Sequence, residues 1–246
     1  MSIFLAGGDP TGPLPDVHDQ FVREAEGVGE RVVIAVQGGS AEATQAVTTL
    51  AEPILRRWPQ AQIEPVWLVG SEVTVWPDEP ERLAGVVVAG ASTATVLDSL
   101  MPQRTVLARL VQRRVPYLGY SAGACVVGRH VITGDRRGAG GGGDQERLAL
   151  LDGLGLIGPI VEPHADTTCL LDRTIAALQL GPATTALCLD DGLGLSVSAI
   201  SGATRLSGTG RLTWLTRHGD QIVLRFERPG RATAEPPSEE DAATEA

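Results

Sequence analysis

The sequence contains no lysine and no asparagine, and all 20 of its basic residues are arginine. The missing lysine excludes Schiff-base chemistry, pyridoxal phosphate attachment and a Walker-type phosphate lysine. Cysteine is scarce too. Cys125, Cys169 and Cys188 are an odd set without metal-like spacing, which argues against a disulfide framework and for reduced, buried thiols in a cytoplasm. No run approaches the ~20 apolar residues that cross a bilayer. The opening Met1-Ser2-Ile3-Phe4-Leu5-Ala6-Gly7-Gly8 lacks the basic segment and long apolar core of a signal peptide, and reads as a first strand. Positive charge is short overall. The net charge is −10; residues 229–246 hold five acids and Arg231, a net −4, which leaves the body near −6. Neither nucleic acid nor an anionic membrane is an expected partner.

What is present suits an α/β protein. At 246 residues with 43% hydrophobic content the chain can bury a sizeable core. In its first half, short Val- and Ile-rich runs (Ile3–Ala6, Arg31–Val36, Gln62–Leu68, Gly85–Ala89, Pro116–Gly119) alternate with helix-length stretches. These stretches are Pro15–Glu26, Ala41–Trp58 and Thr93–Arg114, the last broken at Pro102. Continuous apolar strands between helices predict a doubly wound, mostly parallel sheet with helices on both faces. Ala122–His130 reads as a further helix, and Leu170–Leu180 as another. The second half is strand-like at Leu156–Val161, Ala186–Leu189, Leu193–Ile200, Arg211–Thr216 and Gln221–Phe226, predicting a C-terminal antiparallel hairpin edge. Residues 1–228 form one expected domain, followed by an acidic tail over 229–246. The glycine run Gly140–Gly143 predicts a loop, a lid or an ordinary connection.

Gly119-Tyr120-Ser121-Ala122-Gly123 reads G-x-S-x-G between a predicted strand and a predicted helix. A sharp turn in that context lifts a serine hydroxyl clear of the sheet, and the next amide, Ala122 N–H, can stabilise an oxyanion. The alternative is a tight structural turn. A serine nucleophile needs a general base, and an imidazole base needs an acceptor to orient it. Of the four histidines, His18 lies in the first helix, His130 at the end of the helix after Ser121, and His218 in a polar turn. His164, in Glu162-Pro163-His164, follows a strand and precedes a helix, where catalytic loops gather; a surface histidine is the competing reading. Asp190-Asp191-Gly192 puts two carboxylates at a strand end, as an orienting acid or as turn formers.

These motifs resemble peptidase family S51, the serine peptidases of the dipeptidase E and cyanophycinase type, which share a class I glutamine-amidotransferase-like fold. Gly119-Tyr120-Ser121-Ala122-Gly123-Ala124 is similar to their G-x-S-A-G-A motif, and Glu162-Pro163-His164 to N-P-H or D-Q-H. Asp190-Asp191-Gly192 falls on P-E-G or D-E-x, and Val88-Ala89-Gly90-Ala91-Ser92-Thr93 on the glycine-rich oxyanion loop. Leu206-Ser207-Gly208 followed by Trp214 resembles the last hairpin of dipeptidase E. The resemblance implies Ser121 as nucleophile, His164 as base and Asp191 as orienting acid, with Asp135 as the rival acid. It implies oxyanion amides at Ala122 and at Ala91 or Gly90, and substrate binding by Thr93, Glu162 and Arg173. No metal or cofactor is implied. The implied substrate is a short peptide, with an acidic P1 residue (Asp-X or β-aspartyl) as the narrower expectation. Three departures stand out: Ala-Gly-Ala in the oxyanion loop, Asp for Glu at 191, and one arginine, Arg173, where relatives place several. An esterase or amidase, or a catalytically silent binding module, stays open as an alternative, and so does a homodimer.

Overall fold

The computed structural model describes residues 2–8, 15–39, 41–71, 74–134, 148–168 and 170–230. Along the chain run β1 (Ser2–Ala6), α1 (Pro15–Glu26), β2 (Arg31–Gln37), α2 (Ala41–Leu55), β3 (Gln62–Leu68) and β4 (Leu83–Gly90). There follow α3 (Thr93–Leu100), α4 (Arg104–Gln112), β5 (Tyr117–Ser121), α5 (Ala122–Cys125), β6 (His130–Thr133) and β7 (Ala149–Asp152). The remainder is β8 (Ile160–Glu162), α6 (Leu171–Leu180), β9 (Thr185–Leu189), β10 (Leu193–Ser198), β11 (Thr204–Gly208), β12 (Leu212–His218) and β13 (Gln221–Glu227). A short 3₁₀ turn at Met101–Gln103, carrying Pro102, separates α3 from α4 as the sequence implies.

The main sheet has seven strands in the order β11-β10-β1-β5-β4-β2-β3. Its five inner and far strands, β1, β5, β4, β2 and β3, are parallel. The β10–β11 hairpin adds an antiparallel edge against β1. Strand β2 shows why the sequence is continuously apolar. Val32, Ile34 and Val36 face one core with Phe4, Phe21 and Ile54, while Val33 and Ala35 face the other with Leu5, Val88 and Leu100. Both faces are covered by helices, so no position from Val32 to Val36 is free to be polar, and the polar residues stand only at the strand's half-buried ends.

A second sheet, β13-β12-β9-β8, was not legible as a separate unit. The last hairpin belongs to it, through β12 on β9, while β8 runs parallel to β9. Leu187, Leu189 and Leu212 of this sheet share one hydrophobic core with Leu193 and Leu195 of the main sheet. Its other face packs on α6 through Ala186, Leu215 and Leu178. Strands β6 and β7 pair as a separate ribbon.

The helix expected over Ala122–His130 is corrected: it ends at Cys125. The carbonyls of Val126, Val127, Gly128 and Arg129 accept instead from the amides of residues 153–157. Chain crossing there takes the acceptors that helix continuation would need, and His130 opens β6. Among the described residues no helix is long and apolar enough to cross a membrane. Residues 231–246, most of the expected acidic tail, lie outside the described residues, as do Cys169 and the Gly140–Gly143 run.

Candidate active site

Ser121 closes β5, the strand between β1 and β4, at the carboxyl end of the parallel sheet, where doubly wound folds bind ligands. Its backbone sits at φ 50°, ψ −119°, and α5 starts at the next residue. A strand that turns at once into a helix forces this strained geometry and leaves the hydroxyl at the tip. Glycine is required on both sides. A Cβ on Gly119 would lie 2.4 Å from the Gly123 carbonyl oxygen, and one on Gly123 would lie 2.1 Å from that of Val88. The Tyr117 hydroxyl donates to the Gly123 carbonyl at 2.7 Å, bracing the turn from beneath. On the opposite face the hydroxyl of Tyr120 meets Nε2 of the buried His18 at 2.6 Å.

His164 reaches Ser121 from the second sheet. It follows β8 at φ 60°, a second left-handed non-glycine residue. Its amide donates to the Gly7 carbonyl at 2.9 Å and the Ala165 amide to Leu189 at 3.0 Å. Its own carbonyl accepts the Thr168 amide at 3.0 Å and the Thr168 hydroxyl at 2.7 Å. Held so, the imidazole places Nε2 3.0 Å from Ser121 Oγ and Nδ1 2.7 Å from Asp191 Oδ1. The pattern corresponds to Nδ1–H donating to the carboxylate while Nε2 accepts from the hydroxyl.

Asp191 follows β9, and its second oxygen accepts from the Thr167 hydroxyl at 3.0 Å. Its amide donates to Asp166 Oδ1 at 2.8 Å. The end of β1 makes room for this turn: a Cβ on Gly7 would lie 2.0 Å from the Asp190 carbonyl oxygen. Asp190 points elsewhere. It is 7% exposed and lies 3.9 Å from Arg211, and burial raises its carboxyl above the ordinary value.

The remaining expected residues are distributed differently. Ala122 opens α5 beside Ser121, and Gly90 pairs with Ser121 across the β4–β5 ladder. The Ala91 amide, one of the two candidate oxyanion donors of that loop, donates instead to Gln37 Oε1 at 2.9 Å. Thr93 stands at the start of α3, and its side chain works against the burial that raises the Cys125 thiol. Glu162 and Arg173 bind each other. Arg173 Nε and a terminal nitrogen meet the two carboxylate oxygens at 2.8 and 3.2 Å, and its guanidinium also donates to the Gly134 and Ile132 carbonyls. Glu162 is 0% exposed. The two residues expected to bind substrate are thus joined to each other in one internal ion pair. Burial pushes the Glu162 carboxyl up to about 7, with Arg173 opposing the rise. Burial also pushes the Cys125 thiol up to about 12, which keeps it neutral beneath Ser121. Asp135, the rival acid, lies outside the described residues. Among the described residues no group of three or more His, Cys, Asp or Glu side chains could hold a metal ion.

Sequence reasoning missed Gly7, Gln37, Asp166 and Thr167. Gly7-Gly8 directly after the apolar run of β1 is a usable signal, since paired glycines at a parallel strand's end mark close backbone approach. Nothing in the sequence singles out Gln37.

A serine at a strained strand-to-helix turn, an imidazole and a carboxylate in hydrogen-bonded series on a doubly wound sheet have the arrangement of an α/β serine hydrolase. The model of peptidase family S51 matches residues 78–201, and the chain belongs to that family, a peptidase. That span includes Gly90, Ser121, His164 and Asp191. A comparison with curated proteins returns no match. Among solved structures, a peptidase from an acI-B1 Actinobacterium is similar at 16% identity and a TM-score of 0.71, over 95% of this chain and 96% of that one. A peptidase E protein from Listeria monocytogenes EGD-e is similar at 14% identity and a TM-score of 0.53, over 84% of this chain and 98% of that one. At these identities the likeness speaks for the fold.

Proposed function

We propose that the protein is a serine peptidase that hydrolyses short peptides through an acyl-enzyme, with Ser121 as nucleophile, His164 as general base and Asp191 as orienting acid. One observation carries this reading: the unbroken series from Ser121 Oγ through His164 to Asp191, at 3.0 and 2.7 Å. Ser121 Oγ attacks the scissile carbonyl carbon while His164 Nε2 takes the hydroxyl proton. The imidazolium that forms is stabilised by Asp191, itself fixed by Thr167. Collapse of the tetrahedral intermediate breaks the C–N bond, and His164 returns the proton to the leaving amine. Water then attacks the acyl-enzyme with His164 again as base. Oxyanion charge falls to the Ala122 amide and to the Gly90–Ala91 segment, a contribution of about 3–4 kcal/mol per donor. No metal or cofactor enters this chemistry.

The Glu162–Arg173 pair bears on substrate choice. An acidic P1 residue needs a cation, and Arg173 directs four of its five N–H groups to Glu162 and two backbone carbonyls. This argues against Arg173 as the clamp for an acidic P1 residue and leaves short peptides, Asp-X and β-aspartyl members included, as the substrate class. The test is a short-peptide library, with Asp-X and β-Asp-Arg members, read by mass spectrometry alongside fluorophosphonate labelling. Cleavage and labelling by the wild type, both lost in Ser121→Ala, are the expected result. Labelling that persists in Ser121→Ala, or a folded wild type that neither cleaves nor labels, would sink the proposal.

A further inference from the structure

The loop after β4 carries an expected oxyanion donor, the Ala91 amide, and one side chain from a neighbouring strand binds it. Gln37 ends β2, which flanks β4 on the side opposite β5. Its Oε1 accepts the Ala91 amide at 2.9 Å and the Ser92 amide at 2.6 Å. Its side chain packs on Gly90, where a Cβ would lie 3.1 Å from both Gln37 Cβ and Oε1. A trans peptide is planar, so the Gly90 carbonyl points away from the Ala91 N–H. With that N–H on Gln37, the carbonyl faces the β5 side of β4, where Gly90 pairs with Ser121. An acceptor there would repel an oxyanion. A donor there requires the Gly90–Ala91 peptide to rotate, and glycine at position 90 removes the Cβ barrier to that rotation.

We infer that Gln37 is a positioning residue that sets the oxyanion loop: its side-chain carbonyl caps the Ala91 amide in the resting enzyme, and substrate binding has to displace it. The Ser92 amide bond to Gln37 and the Ser92 cap on α3, in which Ser92 Oγ accepts the Thr95 amide, keep the rest of the loop anchored during the change. The inference rests on Ser121 being the nucleophile. It adds that the second oxyanion donor is not standing ready but competes with an internal acceptor.

The test is the second-order rate of fluorophosphonate labelling, whose phosphoryl oxygen needs the same donors, in the full-length wild type, Gln37→Ala, Gln37→Met, Gln37→Glu and Ser121→Ala. Met keeps the bulk on Gly90 without the acceptor, so it serves if Ala disturbs folding. Freeing the amide should raise labelling about five- to tenfold in Ala and Met, the ratio one net hydrogen bond of about 1–1.4 kcal/mol converts to. A carboxylate binds two amides more strongly than a neutral carbonyl, so Glu should label more slowly than wild type at pH 8. That deficit should vanish as the pH falls through the carboxyl's titration, a profile that a purely structural glutamine would not produce. Slower labelling in folded Ala and Met, or a Glu variant as fast as wild type at pH 8, would overturn the inference and leave the serine reading intact. Absence of labelling in wild type, Ala and Met together would overturn both.

Discussion

Replacing Arg173 by Met separates a buried structural pair from a substrate clamp. In the wild type Glu162 is 0% exposed and both its oxygens are met by Arg173. Taking away one partner of a buried ion pair destabilises by about 3–5 kcal/mol, because the remaining charge has neither water nor counter-charge. The pH dependence has a definite sign. Burial lifts Glu162 from 4.5 to about 7, so the native state keeps its proton at pH values where the unfolded chain has lost it. The contribution of this group to stability is therefore fullest below about pH 4.5 and falls as pH rises toward 7, by about 3 kcal/mol in all. Without Arg173 the opposing pull is gone, the carboxyl rises further, and the loss continues above pH 7. Urea unfolding of wild type, Arg173→Met, Glu162→Gln and the double variant at pH 5 and pH 8 reads all of this. We expect Arg173→Met to be damaged most at pH 8 and partly restored at pH 5. The double variant should be more stable than the sum of its parts, since the pair is coupled. A variant within about 0.5 kcal/mol of wild type at pH 8, with KM raised selectively for acidic peptides, would refute the buried-pair argument and return Arg173 to the substrate.

Two further outcomes follow from the site. Asp191→Asn should lower kcat about 10³–10⁴-fold with little change in KM, because the amide favours the wrong imidazole tautomer; near-normal turnover would move the orienting role to another acid, Asp135 first. Gly123→Ala puts a Cβ 2.1 Å from the Val88 carbonyl oxygen, which is backbone and cannot swing aside. It should destabilise by more than about 3 kcal/mol in thermal or urea unfolding, and an unchanged transition would mean that the strand-to-helix turn is looser than drawn.

The parallel half of the fold was legible because its strands are buried on both faces. That burial writes itself into the sequence as Val32–Val36 and Gly85–Ala89, unbroken by polar residues. The second sheet was not. Strand β8 is only Ile160–Glu162, too short to carry a period, and its pairing with β9 is long-range. Helix α5 was overextended since Val126 and Val127 look compatible with a helix; the acceptors that end it are claimed by residues 153–157, about 30 positions away. Within the site, Ser121, His164 and Asp191 were readable from motifs, and their contact distances were not. The pairing of Arg173 with Glu162 was hidden for a related reason. An arginine near His164 reads the same in sequence whether its partner is a ligand or a glutamate two residues before that histidine.

The site divides into a rigid part and an adjustable part, and strain shows the boundary. Ser121 and His164 both sit at positive φ without being glycine, each at about 1–3 kcal/mol. Such conformations persist only where neighbours over-determine them. Ser121 has the Tyr117 hydroxyl on Gly123 and the Tyr120–His18 contact behind it. His164 has the Gly7 carbonyl, the Leu189 contact to Ala165 and the two Thr168 donors. Gly7 is the joint between them: β1 lies beside β5 in the main sheet, and the Gly7 carbonyl holds the first residue contributed by the second sheet. Serine, imidazole and carboxylate are thus fixed relative to one another before any substrate arrives. The oxyanion loop has no comparable framework. Its Ala91 amide is bound by one glutamine side chain, whose carbonyl would compete with a substrate oxygen for that N–H. Differences in rate among substrates should then arise more from how well each displaces Gln37 than from any change at Ser121, His164 or Asp191.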